Sequence, residues 1–203
     1  MARYGLVVDV SRCIGCYACV VACKSENYTR PGVSWLRIEE KEEGEFPRVS
    51  KTFTPLMCMQ CAEMPCGEGC PTGAIYKGEG GVVLVDPDTC TCGDSPCVES
   101  CPYGVMSVNR GRKFYFEQGG DPEEMAAYDA HRDGVAEKCT FCSHRLKVGD
   151  LPFCVQSCPT KALIFGDLDD RQGQVARLIS GGSAPPLRGD LRLDVSVFYK
   201  TTR

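Results

Sequence analysis

The chain predicts an α+β fold in which short strands and short helices wrap around metal sites and little conventional core remains. Three observations carry that reading. Sixteen cysteines fall into four groups of four with none left over. The groups are Cys13, Cys16, Cys19 and Cys23; Cys58, Cys61, Cys66 and Cys70; Cys90, Cys92, Cys97 and Cys101; and Cys139, Cys142, Cys154 and Cys158. Every group closes on the same Cys-x₃-Cys step. Between the groups lie brief apolar or alternating runs broken by Gly and Pro, which is the composition of strands joined by turns.

The elements follow in order. Arg3 to Val10 reads as a strand leading into the first group, and Tyr17 to Lys24 as a short helix with Cys19 and Cys23 on one face. In residues 31–51, Trp35-Leu36-Arg37-Ile38 reads as a strand followed by an exposed acidic turn from Glu39 to Glu45. Ile75-Tyr76-Lys77 and Val82 to Asp86, separated by Gly78-Glu79-Gly80-Gly81, read as a hairpin. A further short helix is expected around Pro96 to Ser100, with return strands at Met106-Ser107-Val108 and Leu163-Ile164-Phe165. Residues 109–135 are polar and read as an insertion. After the last group, Asp169 to Ile179 reads as an Asp-capped amphipathic helix, and Leu191 to Tyr199 alternates as a strand, the tail either packing on its own domain or docking to a second subunit.

The cysteine spacing names the chemistry. A close trio with a fourth thiolate beyond it is how bacterial-type ferredoxins hold cubane clusters, the fourth cysteine serving the neighbouring cluster. Three nearby thiolates wrap three corners of one cube, and the fourth is carried away on a helix. Two groups then make one interlocked pair of clusters. The proline after Cys70, Cys101 and Cys158 fixes φ where the chain leaves the ligand, whereas Lys24 follows Cys23. Four groups therefore predict four 4Fe–4S clusters and the movement of single electrons. A disulfide framework belongs to short secreted chains in an oxidising compartment. Zinc sites use two separated cysteine pairs, not trios.

The groups differ in detail. Between the second and third cysteines stand two, four, four and eleven residues, the last being the polar excursion from Ser143 to Phe153. The third group is irregular, because Cys90-Thr91-Cys92 has one intervening residue where the others have two. Its cofactor is read as an ordinary cubane with a strained first pair, a 3Fe–4S centre, or a site of unusual potential. With so little apolar core, bound iron must supply much of the folding energy.

Composition excludes several functions. The chain is 25% charged and 43% hydrophobic with a formal net charge of −4, which is globular. Four cubanes at about −2 each bring the loaded chain near about −12, so nucleic acid is not a partner. No apolar run approaches the roughly 18 residues that span a bilayer. Met1-Ala2-Arg3-Tyr4 runs directly into the first strand with no signal peptide, so assembly is expected in the cytoplasm. No nucleophile–base constellation or phosphate-binding glycine loop is present; the chain is not an enzyme by itself. Lys24, His144, Arg145 and Lys147 stand beside ligand positions, and Lys24 and Arg145 are the candidates for tuning cluster potential. His131, in a polar loop, is expected to be exposed.

Two stretches carry a family resemblance that covers most of the chain. One is Asp9-Val10-Ser11-Arg12-Cys13-Ile14-Gly15-Cys16-Tyr17-Ala18-Cys19-Val20-Val21-Ala22-Cys23-Lys24. The other runs from Lys138-Cys139-Thr140-Phe141-Cys142 through Cys154-Val155-Gln156-Ser157-Cys158-Pro159-Thr160 to Leu168. Both resemble the four-cluster iron–sulfur subunits of the dimethyl sulfoxide reductase superfamily. The resemblance implies two bacterial-ferredoxin-like domains, one of residues 1–51 plus 109–168 and an inserted one of 52–108, with 169–203 as a C-terminal helix–strand extension. It further implies crossed ligation. Cys13, Cys16 and Cys19 share a cluster with Cys158, and Cys139, Cys142 and Cys154 with Cys23. In the inserted domain Cys58, Cys61 and Cys66 pair with Cys101, and Cys90, Cys92 and Cys97 with Cys70. The implied partners are a large molybdenum- or tungsten-pterin catalytic subunit and either a quinone-reactive membrane subunit or a soluble carrier. The implied location is the cytoplasm, the membrane through a partner, or the periplasm by export with the catalytic subunit. Service to a hydrogenase-type complex, or life as a free polyferredoxin, is the alternative.

Overall fold

A computed structural model describes residues 2–91, 96–111, 115 and 122–201. In chain order the first half forms β1 (Tyr4–Asp9), α1 (Ala18–Asn27), β2 (Leu36–Glu43), β3 (Ser50–Met57), α2 (Pro65–Glu68), β4 (Ile75–Lys77), β5 (Val83–Val85) and α3 (Pro96–Glu99). The second half forms β6 (Ser107–Val108), α4 (Pro122–Asp129), β7 (Ala136–Glu137), α5 (Ser143–Leu146), α6 (Phe153–Gln156), β8 (Leu163–Asp167), α7 (Gln174–Ser180) and β9 (Val197–Lys200). Helix and strand are mixed throughout, as an α+β chain requires.

The apolar run of β1 organises the architecture. It is the middle strand of a three-stranded sheet, antiparallel to β8 and parallel to β9. Alternation along a strand sends neighbours to opposite faces. Accordingly Leu6 and Val8 turn into the main core beside Met57, Phe141 and Tyr199, while Val7 turns to the other face, against Val175 and Ala184. Both faces are covered, and a continuous Leu-Val-Val run is what such a strand needs. The second face is roofed by α7 and the segment after it, so the C-terminal extension packs on its own chain. Tyr199 anchors it from inside, its hydroxyl donating to the Pro55 carbonyl at 2.9 Å.

The remaining ladders are small. β2 and β3 pair along their full length, from Leu36 opposite Met57 out to Glu43 opposite Ser50. β4 pairs with β5, as the Gly-rich turn between them foretold. β6 pairs with β7 and closes the loop of residues 109–135 at its base. Arg30, buried at 2% exposure, holds that loop against the end of α1 by donating to the carbonyls of Gly111 and Tyr128.

Three expectations are corrected. The acidic stretch after Ile38 is not a turn at first: Glu39, Glu40, Glu42 and Glu43 are exposed positions of β2, paired with β3. That partner strand runs straight through position 52. The C-terminal helix begins at Gln174 with Gly173 at its N-cap and no side-chain cap. Asp170 instead closes a turn upstream, its carboxylate accepting from the Gln172 N–H at 3.0 Å and its carbonyl from the Gly173 N–H at 2.8 Å. The last strand is Val197–Lys200, not the whole run from Leu191, because Arg192 takes a left-handed conformation with φ of 53°.

Leu6 has no exposure. Truncation by Leu6→Ala leaves a cavity beneath the cysteine loops and is expected to cost about 2–5 kcal/mol, read by denaturant unfolding of the anaerobically prepared, iron-loaded chain.

Candidate metal centres

The short helices that carry the Cys-x₃-Cys steps pack in two couples, α1 against α6 and α2 against α3. Groups one and four therefore face each other, as do groups two and three. The approach is close because the residue before each closing cysteine is small: Ala22, Gly69, Ser100 and Ser157. A Cβ at Gly69 would collide with the Ser100 hydroxyl. At Gly15, inside the first cysteine loop, φ is +66° and a Cβ would strike the Phe53 ring of β3. Glycine is required there on both counts.

Each couple brings thiols together across the chain. One cavity is walled by Cys13, Cys16, Cys19 and Cys158. A second is walled by Cys58, Cys61, Cys66 and Cys101. Neither is lined by a charged side chain. Cys139, Cys142, Cys154 and Cys23 form a third gathering, in which burial first and then the neighbouring sulfurs push the Cys154 thiol upward. Cys90 and Cys97 are buried in a smaller core packed by Cys66, Cys70 and Cys101. Cys92 lies outside the described residues.

The donor set fits 4Fe–4S clusters: four thiols line each of two apolar cavities. Burial pushes the Cys19, Cys23 and Cys61 thiols to about 12, and Cys66 to about 11, with nearby cysteines adding to the rise at each. Such thiols ionise only against a compensating positive charge, which bound iron supplies.

Two closing cysteines behave oppositely. Burial disfavours ionisation of Cys70 and Cys158, yet each is held below its ordinary value by hydrogen bonds to its sulfur. Both belong to a Cys-Pro-Thr triplet. The Thr72 hydroxyl lies 3.5 Å from the Cys70 sulfur, and Thr160 lies 3.7 Å from that of Cys158. The Ala162 N–H also donates to Cys158 at 3.3 Å. Elsewhere the Ala136 N–H donates to Cys90 and the Phe141 N–H to Cys139, each at 3.4 Å. Hydrogen bonds to ligand sulfur raise the potential of a cluster.

The expected tuning residues are placed as follows. Lys24 donates to the Val33 carbonyl at 2.6 Å and the Tyr115 hydroxyl at 2.9 Å, while its charge favours the ionised form of Cys23. Arg145 lies beside Cys142 and favours its thiolate, but Glu26 opposes it there. Arg145 chiefly ties the excursion of group four to α1, pairing with Glu26 at 3.1 Å and donating to the Leu151 carbonyl at 2.9 Å. His144 joins the same carboxylate at 2.8 Å.

His131 is not an exposed loop residue. Its side chain is 15% exposed, Nδ1 meets Glu137 at 2.8 Å and Nε2 meets the Asn27 carbonyl at 2.8 Å. Trp35 donates to the other Glu137 oxygen at 3.2 Å. The Asn27 amide in turn donates to the Cys23 carbonyl at 2.9 Å and reaches the sulfurs of Cys23 and Cys142 at 3.7 and 3.9 Å. Spacing did not single out Asn27, Gln60 or Glu137, since nothing local marks a polar residue as buried until the chain has folded.

Thiol-lined cavities between paired cysteine helices define an iron–sulfur protein of the dicluster type. Sequence comparison agrees: two family profiles, each described as 4Fe-4S dicluster domain, match residues 49–117 with 120–168 and residues 12–74. A subunit of the selenate reductase of Mesobacillus selenatarsenatis is 39% identical over 97% of this chain and 71% of its own length. The arsenate respiratory reductase iron-sulfur subunit ArrB of a Shewanella species is 36% identical, covering 97% of this chain and 95% of its own. A putative dimethyl sulfoxide reductase iron-sulfur subunit of Halobacterium salinarum is 37% identical over 98% and 79%. The chain belongs to the iron–sulfur electron-transfer subunits of the molybdopterin oxidoreductase family, and it carries four 4Fe–4S clusters.

Burial works against the imidazolium of His131, but the Glu137 carboxylate more than offsets this and raises its pKa above the ordinary 6.5. A raised histidine pKa contributes stability that is complete below the unfolded value and is lost as pH rises through the folded one. His131→Asn is therefore expected to destabilise the loaded chain most below about pH 6.5, with the gap to the parent narrowing toward alkaline pH in unfolding curves taken across that range.

Proposed function

We propose that this chain relays single electrons between a molybdenum- or tungsten-pterin catalytic subunit and either a quinone-reactive membrane subunit or a soluble carrier. The carrying observation is the coupling of the cysteine helices, α1 with α6 and α2 with α3. It supports crossed ligation: Cys13, Cys16, Cys19 with Cys158; Cys139, Cys142, Cys154 with Cys23; Cys58, Cys61, Cys66 with Cys101; and Cys90, Cys92, Cys97 with Cys70. The chain then divides into an outer domain of residues 1–51 and 109–168 and an inserted domain of 52–108, each interlocked by a shared pair of clusters, with 169–203 as an extension. When bound, the clusters supply one-electron capacity and the residues around them set potential, order and access.

Neighbour relations among the sulfurs support a linear order. Cys19 acts on Cys154, joining the first and fourth sites. Cys58 acts on Cys139, joining the fourth and second. The third site follows through the shared core of Cys66, Cys70, Cys97 and Cys101. At the first end Cys16 is exposed, and Ile14 and Tyr17, which line the same cavity, are 61% and 41% exposed. An apolar rim around a thiol at the surface suits a docking partner that exchanges electrons there. Lys24 and the Cys-Pro-Thr hydrogen bonds tune individual sites, with Arg145 adding a smaller contribution.

No helix among the described residues is long and apolar enough to cross a membrane. Cluster insertion in the cytoplasm, followed by docking at the membrane or export with the catalytic subunit, is the proposed route. The relatives named above are named for selenate, arsenate and dimethyl sulfoxide. In this reading the catalytic partner selects the acceptor and the relay is common to all.

A metal count on the complex purified anaerobically from its native host tests this. About 16 iron per chain with molybdenum or tungsten in a co-purifying large subunit is expected. The same iron with neither metal overturns the partner assignment, and about 15 iron assigns a three-iron centre to the third group.

A further inference from the structure

Lys138 is 1% exposed, one of the most deeply buried side chains among the described residues. Its ammonium donates to the carbonyls of Val83 and of Cys139, the latter at 3.1 Å. Its described partners include no carboxylate. Gln60 grips the same two residues: its Nε2 donates to the Cys139 carbonyl at 2.8 Å, and its Oε1 accepts from the Val83 N–H at 2.7 Å. Gln60 stands inside the Cys58–Cys61 loop, with φ of +54°. The clamp therefore joins the second cysteine group, β5 and the first cysteine of the fourth group.

A buried ammonium held only by carbonyl dipoles is strongly unfavourable unless a negative charge stands near it. Two negative bodies flank this one in the proposed ligand assignment. Val83, whose carbonyl Lys138 holds, lines the cavity of Cys58, Cys61, Cys66 and Cys101. On the other side Lys138 is bonded directly to Cys139. Lys138 thus occupies the junction between the two cluster pairs, where the relay passes from one domain to the other.

We propose that Lys138 is a positioning residue for electron transfer between the two cluster pairs, its buried charge raising the potentials of the clusters on both sides of the junction. The step it serves is the loss of one electron by a reduced cluster of one pair as an oxidised cluster of the other gains it. No bond forms or breaks and no proton moves. Fixed positive charge between them stabilises the extra electron on either side, so neither cluster becomes a barrier where the relay crosses between domains. Gln60 holds the two walls at the spacing that the lysine spans. This inference rests on the ligand assignment proposed above.

The test compares Lys138→Met and Lys138→Arg in the anaerobically purified complex, by iron content and by redox titration followed with electron paramagnetic resonance. Lys138→Met is expected to lower the midpoint potentials of two of the four clusters by about tenfold in the reduction equilibrium, about 59 mV for one electron. Lys138→Arg is expected to hold them. Unchanged potentials in a fully loaded Lys138→Met complex, an equal shift of all four clusters, or an equal shift in Lys138→Arg overturns the proposal. If Lys138→Met loses iron, Lys138→Gln keeps donors to both carbonyls without the charge and must show the same lowering. Iron lost from both neutral variants but retained in Lys138→Arg also supports the charge. Loss from all three overturns it, since packing is then what the position demands. A parent chain with far fewer than about 16 iron instead overturns the cluster assignment, and this proposal with it.

Discussion

Everything in this chain follows from the need to seat negatively charged cofactors in apolar surroundings. A cluster must be shielded from water and competing ligands, yet its charge has to be met by hydrogen-bond donors and cations placed at fixed points. The walls of the two thiol-lined cavities hold Met, Pro, Val and Ile and no charged side chain. Compensation comes from backbone N–H groups, from threonine hydroxyls one residue past a proline, from the Asn27 amide, and from Lys138 at the junction. The same constraint explains the secondary structure. Helices of four residues such as α2, α3 and α6 have little stability of their own; each delivers a cysteine.

The sheet around β1 and the cysteine helices divide the work. β1, β8 and β9 bring residues near the start, near the fourth group and near the C terminus into one sheet, so the ends of the chain are fastened together and groups one and four are held opposite each other. The second and third groups lie in the chain between those ends and couple through α2 and α3. Beside the shared apolar core that packs Leu6 and Val8 against Met57, the buried polar groups Gln60 and Lys138 tie the second cysteine group and β5 to the fourth group, backbone to backbone. A junction built in this way keeps two metal-bearing halves at fixed separation, which electron transfer requires and a loose linker would not provide.

Much of this was legible in the residues. Cysteine spacing is a local signal, and it announced four sites and the helices α1 and α3, while the Gly-rich turn after Lys77 announced the hairpin between groups two and three. The first strand and the return strand at Leu163 were equally plain, since a continuous apolar run between turn residues has few other uses. What escaped was long-range. Nothing local distinguishes His131 in a polar loop from a surface histidine; its partners, Glu137 and the Asn27 carbonyl, come from elsewhere in the chain. Asp169 and Asp170 look like helix caps, but Asp170 spends its carboxylate and carbonyl on the turn before Gly173. The alternating run from Leu191 also reads as strand throughout, and only the left-handed Arg192 and the length of β1 limit its pairing. Lys138 was visible only as part of a motif, because no property of the sequence marks a lysine as buried.

Crossed ligation is the claim on which the interlocked domains, the relay order and the role of Lys138 all depend. Its most direct test is electron paramagnetic resonance of the reduced, anaerobically purified complex carrying Cys13→Ala, Cys139→Ala or Cys158→Ala. Crossing predicts that Cys158→Ala and Cys13→Ala perturb one and the same cluster signal, leaving the signal lost in Cys139→Ala in place. Loss in Cys158→Ala of the signal that Cys139→Ala removes would contradict it, and would return each group of four cysteines to a cluster of its own.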